Sequence, residues 1–388
     1  MEFQKLPTNE RIGRRNRSVE RLVNRMVRSY DGIKGRVGLN GRKANYDDHR
    51  YEFFGGAGDQ LRMRHYDKSM HLLWKAQDKA PWLSFKDGTR AERELMDMAL
   101  RSLSKEEEEL RTRLSAPEYK EMLDREYTPR EKQAIVNILS AIGHGEAYAW
   151  LVSAELMGQI QSTGARAALT MQVLEEAKHF VVLRELLQAF EVQIPRQSAW
   201  EYLLLEGAYK AKGLDKFFGM NVVVEGIALS LFGAMSHLPG LEVLRLFHLD
   251  ESRHTALPSN YFKEFPLSSW QRRNPMARAR RLSIILPALM LIPYLEEDLA
   301  EVGIDALDFG GSVLRKVSFL AERAGFELPL PSHQLLPLLN SLINTYGKMT
   351  RSGHSHSDFL SSDTTKGAKE LEVERQIFQA EPAMAGAI

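Results

Sequence analysis

From Thr128 to about Gln161 the chain carries no helix-breaking proline after the first helical turn. Thr128 and Glu131 have the spacing of a capping box, and Pro129 sits at the first helical position. At 1.5 Å per residue, about 32 residues make a rod of ~48 Å. Such a rod suits a large helical bundle and does not suit a unit built on parallel strands. Ser115-Ala116-Pro117-Glu118 has the pattern of a second capping box. Alternating β-branched runs are scarce from about residue 90 onward. Further helices are expected from about Ala165 to Phe190 and from about Asp215 to Met235. After a tight turn at His237-Leu238-Pro239-Gly240, another helix should run to about Ala256 and stop before Pro258. A crossover holding Trp200, Tyr202 and Tyr209 lies between the Ala165–Phe190 and Asp215–Met235 helices, and more helices follow to about residue 350. The expected fold class is all-α.

Three regions follow: a basic N-terminal extension over 1–69, a helical domain over 70–350, and a flexible polar tail over 351–388. The extension concentrates Arg11, Arg14, Arg15, Arg17, Arg21, Arg25 and Arg28 among Val19, Leu22, Val23, Met26 and Val27 at helical spacing. It is read as a solvated helix that packs one face on the body. His354 and His356, in the polar tail, are read as solvated. Leu282–Leu295 is read as the most apolar stretch, too short for a membrane span of roughly 20 residues and interrupted by Pro287 and Pro293. It is expected to be a buried, kinked core helix. The opening Met1-Glu2-Phe3-Gln4 does not resemble a secretory signal, so cytoplasm is the expected location.

The 388 residues include no cysteine. Thiolate zinc sites, iron–sulfur clusters and a cysteine nucleophile are therefore excluded, and any metal must be held by carboxylate and imidazole. The formal net charge is only +1. A protein devoted to nucleic acid would carry a larger basic excess.

Two segments share one form: Glu175-Glu176-Ala177-Lys178-His179 and Asp250-Glu251-Ser252-Arg253-His254. Residues three apart lie on one helix face, so each Glu and its His can reach one metal ion. With 51 acids and 11 histidines, chance supplies about one or two such spacings, so context carries the argument. A helix with one carboxylate in an apolar run precedes each motif: Glu146 in one case, Glu225 in the other. Burying a lone carboxylate is costly and calls for a cation or a hydrogen-bond partner. Residue 161 lies midway between 146 and 176, at the expected turn Gln161-Ser162-Thr163-Gly164, and 238 lies midway between 225 and 251, inside the turn at 237–240. If each pair is an antiparallel hairpin, each lone Glu lies level with its motif. Glu146, Glu176, His179, Glu225, Glu251 and His254 then converge as the ligand set of a di-iron or di-manganese carboxylate bundle. Asp250 and Glu175 are placed to accept the free imidazole N–H of the opposite motif's histidine, with Lys178 and Arg253 balancing charge.

These motifs, with the apolar run around Glu225 and the lead-in segments 70–82 and 102–110, resemble the ferritin-like di-metal carboxylate oxidases. Within them the sequence is most similar to ribonucleotide reductase small-subunit-like proteins and their ligand-binding oxidase branch. The resemblance spans about 70–300. It implies a ferritin-like four-helix bundle core with additional N- and C-terminal helices, the six ligands named above, two Fe ions or a Mn/Fe pair, and O2 as oxidant. Leu183 occupies the position of the reductase radical tyrosine, and the tail lacks a relay tyrosine. Tyr148 and Met220 stand where the ligand-binding oxidases form a Val–Tyr cross-link. His248, near a position where some N-oxygenating relatives carry a third histidine, is a candidate extra ligand.

The expected function is an O2-activating oxidase or oxygenase acting by hydroxylation, N-oxygenation or desaturation on a small apolar or aromatic substrate. Ile142, Ala149, Trp150, Val222, Ala228, Leu229 and Phe247 are the candidate pocket residues. Expected partners are that small molecule, an external electron donor and a second copy in a homodimer, with no nucleic acid and no membrane span. Two rivals are a reductase-type radical-generating subunit and a ferritin-like iron-handling protein.

Overall fold

The computed structural model describes residues 5–38, 117–160, 163–261, 274–328 and 330–360. Among them every regular element is helical and no strand occurs. In chain order these are α1 (Glu10–Arg36), α2 (Pro117–Glu126), α3 (Pro129–Gln159), α4 (Thr163–Ala189), α5 (Ala199–Lys210) and α6 (Leu214–Phe217). A π-helical stretch, Phe218–Val224, leads into α7 (Glu225–Met235), followed by α8 (Leu244–Tyr261), α9 (Pro275–Glu301), α10 (Ala306–Arg323) and α11 (Ser332–Thr350). The boundary between 69 and 70, the lead-in segments, Ser115, Gln161-Ser162 and the tail beyond 360 lie outside the described residues.

α3 begins at the Thr128–Glu131 capping box, with Pro129 opening the helix. It packs along α4 as an antiparallel pair, since Thr170 meets Met157 while His179 meets Glu146 further up. The π-helical stretch and α7 pair with α8 in the same sense: Asn221 reaches His254, and Leu229 reaches His248. Gly240, at φ +83°, makes the turn before α8. A side chain there would strike Met122 and Leu123 of α2. α4 then packs against α8, α5 and α9 lie over α3 and the π-helical stretch, and α10 covers α7.

Several elements depart from expectation. The crossover contains α5, opened by a Ser198–Glu201 capping box whose pattern is present in the sequence. α8 runs through Pro258 to Tyr261. Pro258 removes one backbone N–H but does not end the helix, because its carbonyl acceptor, four residues earlier, finds another donor. The most apolar long helix is Leu214–Met235, of mean hydropathy 1.6, with 94% of that apolar window buried inside the protein. Leu282–Leu295 belongs to α9 and is only half-buried, with Leu286 50% exposed.

α1 docks through polar groups. Asn16 donates to the Pro293 carbonyl, Glu20 accepts from the Ala199 N–H, and Asp31 accepts from Tyr202. Its apolar residues Leu22, Met26, Tyr30 and Ile33 are exposed. At the other end, residues 351–360 are tied to the body at several points. Arg351 pairs with Asp305, Phe359 and Leu360 are buried, and His354 bonds to Asn344. His356 is exposed.

Candidate metal centre

Why acids survive at the middle of this bundle is the central question. Residues 134–149 of α3 are buried throughout except Asn137, because neighbours cover every side of the rod. Glu146 at 2% and Glu225 at 1% exposure are therefore shut away from solvent. Glu176, Glu251 and His179 are fully buried, and His254 nearly so. The hairpins bring all six together. Glu146, Glu176, His179 and Glu251 offer ligand atoms within 4.8 Å of one another, and so do Glu176, Glu225, Glu251 and His254. Glu176 and Glu251 belong to both groups, so two cation positions would share two carboxylates.

Both histidines turn the same atom inward. His179 donates its Nε2 proton to Asp250 Oδ2 at 3.0 Å, and His254 donates its own to Glu175 Oε2 at 2.8 Å. That leaves each Nδ1 facing the acids. His179 Nδ1 lies 3.2 Å from Glu146 and 3.0 Å from Glu251, and His254 Nδ1 lies 3.1 Å from both Glu176 and Glu251. The outer acids are themselves paired: Lys178 with Asp250 at 3.0 Å, and Arg253 with both Glu175 and Asp250. Such outward partners fix the ring orientation and the ligand atom.

The inner acids lack this help. Among the described residues no Lys or Arg pairs with Glu146, Glu176, Glu225 or Glu251. Arg184, on the same helix as Glu176, has Glu185 as its electrostatic neighbour. Glu176 Oε2 is buried with no hydrogen-bond donor. Protons take up the strain. Burial pushes the carboxyls of Glu146 and Glu225 well above the usual range, reinforced by neighbouring carboxylates. Burial also pushes Glu251 upward, but His254, Glu225 and His179 outweigh it and hold it below its ordinary value. Burial works against charge on His179 and His254, yet the surrounding carboxylates hold both rings protonated well above the ordinary imidazole range. Divalent cations would displace those protons, and oxygen donors with two imidazoles suit iron or manganese.

His248 does not join the cluster. Its Nδ1 bonds to the Leu229 carbonyl at 2.9 Å, and neither ligand group includes it. A cavity of about 30 Å³ lies against Glu146 and Glu225, lined by Ile142, Ala149, Ala228, Leu204, Leu231 and Leu291 among others. Four of the expected pocket residues lie elsewhere. Trp150 is 37% exposed and packs on Phe180, because it sits on the outer side of α3. Val222 and Leu229 are buried away from the cavity. Phe247 stacks on the His179 ring, with centroids 4.2 Å apart.

Sequence reasoning missed Gln172 and Asn221. Gln172 donates to Glu176 Oε1 at 2.9 Å and to Glu225 Oε1 at 3.2 Å, and Asn221 donates to Gln172 at 3.0 Å. Each amide stands four residues before a cluster glutamate on the same helix face, a signal present in the sequence. His144, bonded to Glu201 at 2.6 Å, was also missed. No family model, curated protein or solved structure matches this chain.

Proposed function

We propose that this chain is a ferritin-like di-metal oxidase or oxygenase, with Glu146, Glu176, His179, Glu225, Glu251 and His254 holding two Fe ions or a Mn/Fe pair. The observation that carries this reading is four fully enclosed carboxylates with no lysine or arginine paired to them among the described residues, arranged with two inward Nδ1 atoms in two overlapping groups. Burying several like charges together is strongly unfavourable unless cations or protons compensate. Four carboxylates balance two divalent charges.

When bound, the metals would supply O2 activation and the oxidising power. The chain supplies the rest. Asp250 and Glu175 keep the Nε2 protons outward, so each Nδ1 would turn its lone pair to a bound metal once its own proton is displaced. Phe247 and Phe232 pack against His179 and shield it from water. The apolar walls of the cavity beside Glu146 and Glu225 exclude water and favour an apolar substrate. The cavity has room for about two waters, so substrate entry requires the aliphatic side chains around it to move apart.

Metal analysis combined with anaerobic reduction and O2 exposure tests the reading. About two metal ions per chain, with O2 consumed on mixing, is the expected result. A chain that binds no iron or manganese, and whose Glu176→Ala variant behaves as the wild type, overturns it.

A further inference from the structure

The two cation positions are not built alike. On the His179 side, Glu146 and Glu251 meet only imidazole and other acids, and the shared Glu176 turns its Oε2 that way. On the His254 side a pair of buried amides intervenes, and its orientation is determined. Asn221, at 0% exposure, gives one Nδ2 proton to Gln172 Oε1 at 3.0 Å and the other to the His254 carbonyl at 3.1 Å. Both partners are acceptors, so the amide cannot sit the other way round. The His254 carbonyl is available because the residue four positions on is Pro258, which has no N–H. With its Oε1 engaged by Asn221, Gln172 must turn its Nε2 protons toward Glu176 Oε1 and Glu225 Oε1. Glu176 Oε1 is also the oxygen nearest His254 Nδ1, at 3.1 Å, while Glu176 Oε2 lies 3.8 Å from His179 Nδ1.

The local backbone serves the same arrangement. Asn221 lies in the π-helical stretch, where Gly219 allows α5 to approach so closely that a Cβ would stand 2.9 Å from Ala208. Three consecutive β-branched valines, 222–224, weaken ordinary helical packing there. The widened turn points the Asn221 amide at α8 and α4 together.

We infer that Gln172 and Asn221 are positioning residues that make the two cation positions unequal. They hold one oxygen of Glu176 and one of Glu225 in fixed directions at the His254 position, which therefore depends on them for its affinity, while the His179 position does not. This rests on the metal-centre reading above.

Co(II) titration of the full-length chain, followed by visible absorption and calorimetry, tests the inference. Gln172→Met keeps the volume and donates nothing. It should weaken one of the two binding steps by ~10- to 100-fold, the usual effect of losing an outer hydrogen-bond partner, and leave the other step unchanged. Asn221→Leu, which frees the Gln172 amide to rotate, should act in the same direction with a smaller drop, and it serves if Gln172→Met fails to fold. In a His254→Ala background, where only the His179 position remains, neither change should alter the remaining step. Equal weakening of both steps, or no change in either, overturns the inference while the metal reading stands. Absence of Co(II), Fe(II) and Mn(II) binding in the wild type overturns both.

Discussion

The acids along the C-terminal half of α9 and the acids at the centre of the bundle are both buried, but they are neutralised by different means. Glu301 pairs with Lys5 and Arg130, Glu297 with Arg17, and Glu296 with the Tyr346 hydroxyl and Arg351. Arg351 also holds Asp305 through both guanidinium nitrogens. The centre contains no such side-chain cation. The chain has arginines and lysines in plenty, yet it places Lys178 and Arg253 one layer out, on Asp250 and Glu175. The α9 acids are offset by lysine, arginine and a tyrosine hydroxyl, whereas the central acids are offset within the protein only by protons and two imidazoles, an arrangement compatible with bound metal.

The sharpest way to break that contrast is Glu251→Ala, because Glu251 belongs to both ligand groups. Bound metal should fall from about two ions per chain to nearly none, read by elemental analysis, while Glu301→Ala should leave the metal content intact. Next in size is chelation. Stripping the metals should cost about 4 kcal/mol of stability per site when they had been present at a thousand times their dissociation constant, seen as a lower melting temperature. Equal melting with and without chelator would count against a structural share for the metals.

On α9 the effects are smaller and follow pH. Arg351→Ala should cost ~1–3 kcal/mol near neutrality, since it leaves Asp305 and Glu296 without their guanidinium. Burial works against the Asp305 charge, but Arg351 outweighs it and holds the carboxyl below its ordinary range. That contribution is present above the unfolded carboxylate pKa of about 3.9 and is lost as pH falls through the lower folded value. The difference between variant and wild type in denaturant melts should therefore shrink in acid. Asp298 has the opposite sign. Burial pushes its carboxyl up to about 6, with the Asn137 hydrogen bond opposing. Its favourable contribution is complete below the unfolded value and lost as pH rises through about 6. Asp298→Asn should therefore gain ~1 kcal/mol over wild type at pH 8 and nothing at pH 4, a figure reduced for its partial exposure.

The rods and their turns were legible because they depend on local signals. The capping residues at Thr128, the glycine turn at 240 and the even spacing of 146, 176, 225 and 251 about those turns are written within short stretches of chain. What was not legible depends on which surface meets which. Nothing local says that α1 docks through Asn16, Glu20 and Asp31 and leaves Leu22, Met26, Tyr30 and Ile33 outward. Trp150 and Ala149 are adjacent, and only the position of the neighbouring helices decides which one faces the cavity. Pro258 was read as a stop because the rescue of the His254 carbonyl comes from Asn221, thirty-three residues earlier. Gln172 and Asn221 stood at a recognisable spacing, but amides attract less notice than charges.

Each antiparallel hairpin already carries its own lone glutamate, shared glutamate and histidine. A chain with mostly local contacts assembles such arms quickly. Their mutual docking then brings the buried acids of the two arms together. Under the proposed reading, a shortage of metal would hinder that closure first.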